Sequence, residues 1–208
     1  MDIQEIFVVD RGVSRRSFIK GVIAAGATAS SASYLFRAPG VAHAQASAGT
    51  VERLVTLNVN GQSRPVDVAP QETLGSTLRY KLGLTGTKYG CDRAECGACT
   101  VLIDGIPHYA CSLLTHQVRG REVVTIEGLE VNGRLHPVQQ AVYEEAGFQC
   151  AFCGPGFIMA MVGMLNRNQN PTRDEVRRHL SGNLCRCGDY EKIMRSAMRA
   201  VELSRATA

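Results

Sequence analysis

Eight cysteines lie between Cys91 and Cys187 of this 208-residue chain, in two sets of four. The first set is Cys91-x4-Cys96-x2-Cys99, with Cys111 following after eleven residues. C-x4-C-x2-C…C is the spacing by which plant-type ferredoxin loops hold a [2Fe–2S] cluster, at a potential near about −400 mV. The physical demand is that thiolates converge on two irons while backbone N–H groups meet the negative sulfurs, so the loop must wrap closely. Gly90 and Gly97 let the backbone approach and take dihedrals barred to other residues. The second set is Cys150-x2-Cys153 and, 32 positions later, Cys185-x-Cys187. Neither pair fits a ferredoxin loop. Placed at helix ends, the two pairs can face each other and supply four thiolates. Cys153 would stand just ahead of a helix entered at Pro155, whose positive N-terminal end favours a thiolate and an anionic cluster.

Other chemistries compete for these side chains. Eight cysteines in an exported chain could form four disulfides, yet at 45% hydrophobic residues the chain can build real cores and is no small stapled scaffold. Zinc fits either four-cysteine set, the second better. A Rieske centre needs two histidine ligands on one iron, and none of His108, His116, His136 or His179 sits in a Cys-x-His pair. Thiol redox catalysis at Cys150-x2-Cys153 would leave six cysteines unexplained. The plant-type spacing favours two [2Fe–2S] clusters, and an exported zinc-binding or disulfide-stapled interaction protein without redox role stays as the alternative.

The elements that must position these residues read as follows. Val51 to Val59 alternates as a strand does, Asn60-Gly61 is a turn, and Arg64 to Val68 returns. Pro70 to Thr73 opens a helix running to about Leu82. The Gly- and Cys-rich loop covers Gly86 to Thr100; Val101 to Ile103 and Val123 to Ile126 read as strands, with a turn at Asp104-Gly105. Strand pair, helix, metal loop and strands suit a β-grasp ferredoxin domain. After Gly128 the pattern turns helical, over His136–Gly147, Pro155–Asn166, Thr172–Leu180 and Tyr190–Ser204. Thr172 and Glu175 form a capping box, and Gly182 ends that helix. The expected fold is therefore α+β, a ferredoxin domain over 51–128 and a small four-helix [2Fe–2S] domain over 129–208. Met159, Met161 and Met164 read as core or interface filler, Arg177-Arg178 as a solvated face, Tyr190 as a packed aromatic, and Lys88 and Arg186 either as cations that offset cluster charge or as ordinary surface cations.

The first 44 residues read as an address. Ser14-Arg15-Arg16-Ser17-Phe18-Ile19-Lys20 precedes a mild apolar run from Gly21 to Phe36, and Ala42-His43-Ala44 is an A-x-A cleavage site. Paired arginines indicate twin-arginine export, and the run is shorter than the roughly 20 residues of a membrane span. The expectation is a periplasmic protein cut after Ala44, with a linker over 45–50 and no membrane span after cleavage. Twin-arginine export carries folded proteins, so clusters assembled before export would be spared oxidation of their thiolates. The net charge is +4 overall and, with five basic and three acidic residues in the first 44, +2 beyond them. That weak, scattered charge argues against nucleic acid as a partner.

Gly86-Thr87-Lys88-Tyr89-Gly90-Cys91, Cys96-Gly97-Ala98-Cys99-Thr100-Val101, Leu135-His136-Pro137, Gly147-Phe148-Gln149-Cys150 and Ser181-Gly182-Asn183-Leu184-Cys185-Arg186-Cys187 together resemble the small iron–sulfur subunit of the xanthine oxidase family of molybdenum hydroxylases. With the paired arginines and Cys185-Arg186-Cys187-Gly188-x-Tyr190, the likeness is greatest to periplasmic aldehyde oxidoreductases. The resemblance implies a non-catalytic electron-transfer subunit in a heterotrimer. A large molybdenum–pterin subunit would oxidise the substrate with oxygen drawn from water, aldehydes first and N-heterocycles next. The helical-domain cluster would lie proximal to molybdenum and the ferredoxin-domain cluster distal, passing electrons singly to an FAD subunit or a cytochrome c subunit. The positions of Gln149 and Cys187 would touch the pterin. Three positions depart from the pattern: Ala94 and Ala151 stand where the family usually has Gly, and Gly154 where it has Thr or Ser. The departures bear on the tuning of potentials, and Ala94 or Ala151 would be strained at positive φ.

Overall fold

The computed structural model describes Ser14, residues 16–25 and residues 53–207, and the chain divides into two units at Thr50 and Val51. In the first unit residues 16–25 are helical. Ser14 caps this helix: its hydroxyl accepts the Ser17 N–H at 3.2 Å and its carbonyl the Phe18 N–H at 3.0 Å. Arg15, the A-x-A site and the 45–50 linker lie outside the described residues. Among those described, no helix is long and apolar enough to cross a membrane.

The second unit begins with a five-stranded mixed sheet in the order β2-β1-β5-β3-β4. Strand β1 (Leu54–Val59) pairs antiparallel with β2 (Gln62–Asp67) and parallel with β5 (Glu122–Val124). Strand β3 (Thr100–Ile103) pairs antiparallel with both β5 and β4 (Ile106–Tyr109). Alternation along β1 drives Val55, Leu57 and Val59 into a core with Leu74, Leu78, Val101, Ile103 and Val123. The short helix α1 (Leu74–Ser76), capped by Thr73, widens into a π-helical turn over Thr77–Lys81. The expected helix from Pro70 therefore starts later, because Thr73 holds an extended conformation and caps Leu74 rather than joining it.

Two strands differ from their sequence expectation. The strand expected to reach Ile126 stops at Val124, because Thr125 is held by Asn60: its N–H donates to Asn60 Oδ1 at 2.8 Å and its hydroxyl accepts from Asn60 Nδ2 at 3.0 Å. Strand β4 was not expected. It contains Pro107, which a sheet tolerates at an edge, and β4 is an edge strand.

Four helices follow: α2 (Pro137–Glu144), α3 (Gly154–Arg167), α4 (Arg173–His179) and α5 (Tyr190–Thr207). The Thr172–Glu175 capping box forms as read. Helix α2 starts at His136, whose Nδ1 accepts the Val138 N–H at 3.2 Å, while Gln139 Oε1 returns to the His136 N–H at 3.0 Å. Helix α3 is buried nearly all round, Met159, Met161 and Met164 included, because it packs on the other helices and on the sheet. Leu102 of β3 joins the helical core, so β3 is buried on both faces. The contact is close because α3 carries small residues there. A Cβ at Gly163 would meet Pro107 and Leu102, and one at Gly156 would meet the Gly97 carbonyl and Ala98.

Candidate metal centres

All eight cysteines are free thiols. They do not converge on single points: among the described residues no three His, Cys, Asp or Glu side chains surround a place for one ion. Instead the thiols meet two by two. Cys150 and Cys187 sulfurs stand 3.4 Å apart. Cys91 is paired electrostatically with Cys96, Cys99 with Cys111, and Cys153 with Cys185, each thiol acting on its neighbour's ionisation. Each set of four thus presents two pairs, the donor set of a dinuclear cluster whose irons each take two protein sulfurs.

The first loop is built for that purpose. Backbone N–H groups point at its sulfurs: Ala94 donates to Cys111 at 3.2 Å, and Glu95 and Cys96 donate to Cys91 at 3.3 and 3.4 Å. The Glu95 N–H is the largest influence holding the Cys91 thiol down at about 7. Gly90 is needed because a Cβ there would come 2.8 Å from the Cys96 sulfur, and Gly97 sits at φ +69°. Ala94 also takes a left-handed conformation, at φ +60°, although it has a side chain. Inside the loop, burial pushes Cys99 up to about 12, with the neighbouring Cys111 thiol adding to the rise. A buried thiolate pair lacks positive charge, which a cationic di-iron centre would supply.

The second set repeats this division into an outer and an inner pair. Cys150 and Cys187 are exposed, whereas Cys153 and Cys185 are buried. The Phe152 N–H, followed by the Cys187 thiol, lowers Cys150, while burial and then Cys185 push Cys153 up to about 12. Cys153 is the N-cap of α3, as its place before Pro155 implied. Ala151 lies at φ +56° and Gly188 at φ +82°, the turns that bring the two short motifs face to face.

Three residues support the second site in ways that sequence reasoning did not assign. Buried Asp189 accepts the Gln149 backbone N–H at 2.9 Å and the Gln149 Nε2 at 2.7 Å, fixing the side chain. Asn183 reaches from the second motif to the first loop. Tyr190, read as a packed aromatic, is instead 50% exposed, and its hydroxyl accepts the Cys185 N–H at 3.1 Å. Only the Gly188-x-Tyr190 spacing hinted at that contact. Lys88 donates to the Thr85 carbonyl at 2.8 Å.

Fold and thiol geometry define a two-domain protein for two [2Fe–2S] clusters. Residues 57–122 match the 2Fe-2S iron-sulfur cluster binding domain, and residues 125–198 match the [2Fe-2S] binding domain. The chain is 42% identical over 155 residues to a nicotinate dehydrogenase subunit of Pseudomonas putida, covering 74% of this chain and 99% of that one. It is equally identical over 155 residues to the aldehyde oxidoreductase iron-sulfur-binding subunit PaoA of Escherichia coli, covering 67% and 68%. Among solved structures, quinoline 2-oxidoreductase of Pseudomonas putida 86 superposes with a TM-score of 0.70 at 38% identity, over 74% of this chain and 98% of that chain. The chain belongs to the small iron–sulfur subunits of the xanthine oxidase family of molybdenum hydroxylases. It is an electron-transfer subunit of an oxidoreductase, in a family whose members act on aldehydes and on N-heterocycles.

Proposed function

We propose that Cys91, Cys96, Cys99 and Cys111 hold a distal cluster, and Cys150, Cys153, Cys185 and Cys187 a proximal one beside the molybdenum–pterin cofactor of a large subunit. The observation that carries this reading is the meeting of eight free thiols in four pairs, with backbone N–H groups aimed at the sulfurs of the first loop. When bound, each cluster supplies uptake and release of a single electron, so a two-electron oxidation drains in two steps.

The exposure of the second site supports its place next to the partner. Cys150 and Cys187 lie at the surface with exposed Gln149, and Phe152, Leu184 and Tyr190 nearby in the chain are each about half exposed. An apolar rim round a reactive pair suits a covered interface. Gln149, held by Asp189, and Cys187 are the pterin contacts in this reading. At the first site, Cys111 borders a hollow of about 560 Å³ lined by Thr73, Tyr80, Tyr89 and Asp92, where an FAD or cytochrome c subunit would receive electrons.

The substrate we propose is an aldehyde, oxidised to the carboxylic acid, and the location is the periplasm. The supports are the similarity to PaoA and the Arg15-Arg16 leader ending at Ala44. An N-heterocycle is the second reading, favoured by the equal identity to the nicotinate enzyme. The purified complex should carry about four iron and four acid-labile sulfide per small subunit. Two irons with one zinc would sink the assignment. Turnover of aldehydes but not nicotinate would separate the two substrate readings, and the opposite preference would reverse them.

A further inference from the structure

The segment Gly182-Asn183-Leu184, just ahead of Cys185, is stitched to the first cysteine loop. The Leu184 N–H donates to the Cys96 carbonyl at 2.9 Å. The Tyr109 hydroxyl donates to the Gly182 carbonyl, also at 2.9 Å. Asn183 Nδ2 donates to the Gly97 carbonyl at 3.0 Å and lies 3.5 Å from Thr100 Oγ1. No slack surrounds these bonds. A Cβ on Gly97 would come 2.5 Å from Asn183 Nδ2 and 2.6 Å from the Gly182 carbonyl, and one on Gly182 would run into the Tyr109 hydroxyl.

Local duties do not account for the Asn183 side chain. The turn that ends α4 needs only the Asn183 backbone N–H, which donates to the Leu180 carbonyl at 3.0 Å. Nor does the Gly97 carbonyl need rescue, since it already accepts from the Thr100 N–H at 3.2 Å and the Thr100 hydroxyl at 2.6 Å. Yet the amide is buried, 7% exposed, where a polar group is costly unless bonded. What the amide adds is position, because it ties the backbone beside Cys96 to the backbone beside Cys185.

We propose that Gly182-Asn183-Leu184 is a splint coupling the two cluster sites, with Asn183 as its positioning residue, so that a displacement of either cysteine loop is carried to the other. The proposal rests on the reading that the eight thiols hold two clusters. Cluster properties depend on hydrogen bonding and on exposure of the sulfurs. A change in the splint, although it lies in the helical domain, therefore alters the ferredoxin-domain cluster as well.

The test uses the complex with its partner subunit. Wild-type protein is first assayed for iron and sulfide, and a content below about four of each per small subunit overturns both the two-cluster reading and the splint. With that content established, Asn183→Leu keeps the number and branching of the side-chain heavy atoms and removes the amide, and Tyr109→Phe removes one oxygen from the same link. The two clusters' EPR signals, assigned with Cys111→Ser and Cys187→Ser, are recorded together with their midpoint potentials. The splint predicts altered line shape and midpoint for both clusters in Asn183→Leu, and smaller changes of the same sense in Tyr109→Phe. A purely structural role would lower the thermal midpoint and leave the spectra of loaded protein unchanged. An unaltered ferredoxin-domain signal in these variants overturns the proposal. Should Asn183→Leu not accumulate folded, Tyr109→Phe alone decides it by the same criterion.

Discussion

Ala94 and Ala151 sit in the left-handed region, at φ +60° and +56°, one in each cysteine motif. A Cβ in that conformation costs roughly 1–2 kcal/mol. Glycine escapes the clash but loses about 0.5–1 kcal/mol of chain entropy on folding. Strain is the larger effect, so Ala94→Gly with Ala151→Gly should stabilise the protein by about 1 kcal/mol and raise the thermal midpoint by roughly 2–4 °C. Calorimetry on the loaded protein checks this, and a lower midpoint would contradict it. The Ala94 N–H that meets Cys111 is retained in the glycine variant, so ligand geometry should persist.

At the scale of elements, α3 is the joint between the halves. A Cβ at Gly156 would meet backbone, the Gly97 carbonyl and the Ala98 Cα, which cannot swing aside. Gly156→Ala should therefore cost about 1–3 kcal/mol, read as a fall in the denaturation midpoint. Gly163→Ala meets side chains of Pro107 and Leu102, which can shift, and should cost less. Helix α2 offers a pH-dependent test. Burial lowers the pKa of His136 below its ordinary 6.5, and its neutral Nδ1 caps the helix. Because the folded pKa is depressed, the unfolded chain binds the proton first as pH falls. The cap contribution should stand complete above pH 6.5 and fade as pH drops from there toward the folded pKa. His136→Ala should lose about 1 kcal/mol above pH 6.5 and progressively less below it. A stability difference independent of pH would refute this account of the cap.

For the whole molecule, the predictions concern traffic of protein and of electrons. Arg15→Lys with Arg16→Lys should trap this chain, and the large subunit with it, in the cytoplasm. Fractionation showing the large subunit in the periplasm regardless would refute joint export. In the proposed order of carriers, Cys111→Ser removes a ligand of the distal site and none of the proximal one. Substrate should still reduce the helical-domain cluster, while turnover with the external acceptor collapses. Cys187→Ser disturbs the proximal site and a proposed pterin contact, so both should fail. EPR after one anaerobic addition of substrate separates the cases, and the reverse pattern would invert the order of carriers.

The local features of this protein follow from sequence because they depend on neighbours a few residues apart. The C-x4-C-x2-C loop, the Thr172–Glu175 cap, the Pro155 helix start and the alternation of β1 are of this kind, and each stands where residue type and spacing put it. Tertiary structure decided what depends on distance through space. It alone could bring Cys150 within 3.4 Å of Cys187, 37 residues away, and set Asn183 on Gly97 across 86. Strand β4 escaped notice because its proline is acceptable only at a sheet edge, and edges exist only once strands are ordered. Of the all-round burial of α3, only its methionines were legible, as core filler. Which of its small residues touch the sheet was settled by packing alone, since a helix of uniformly apolar surface has no face that periodicity can single out.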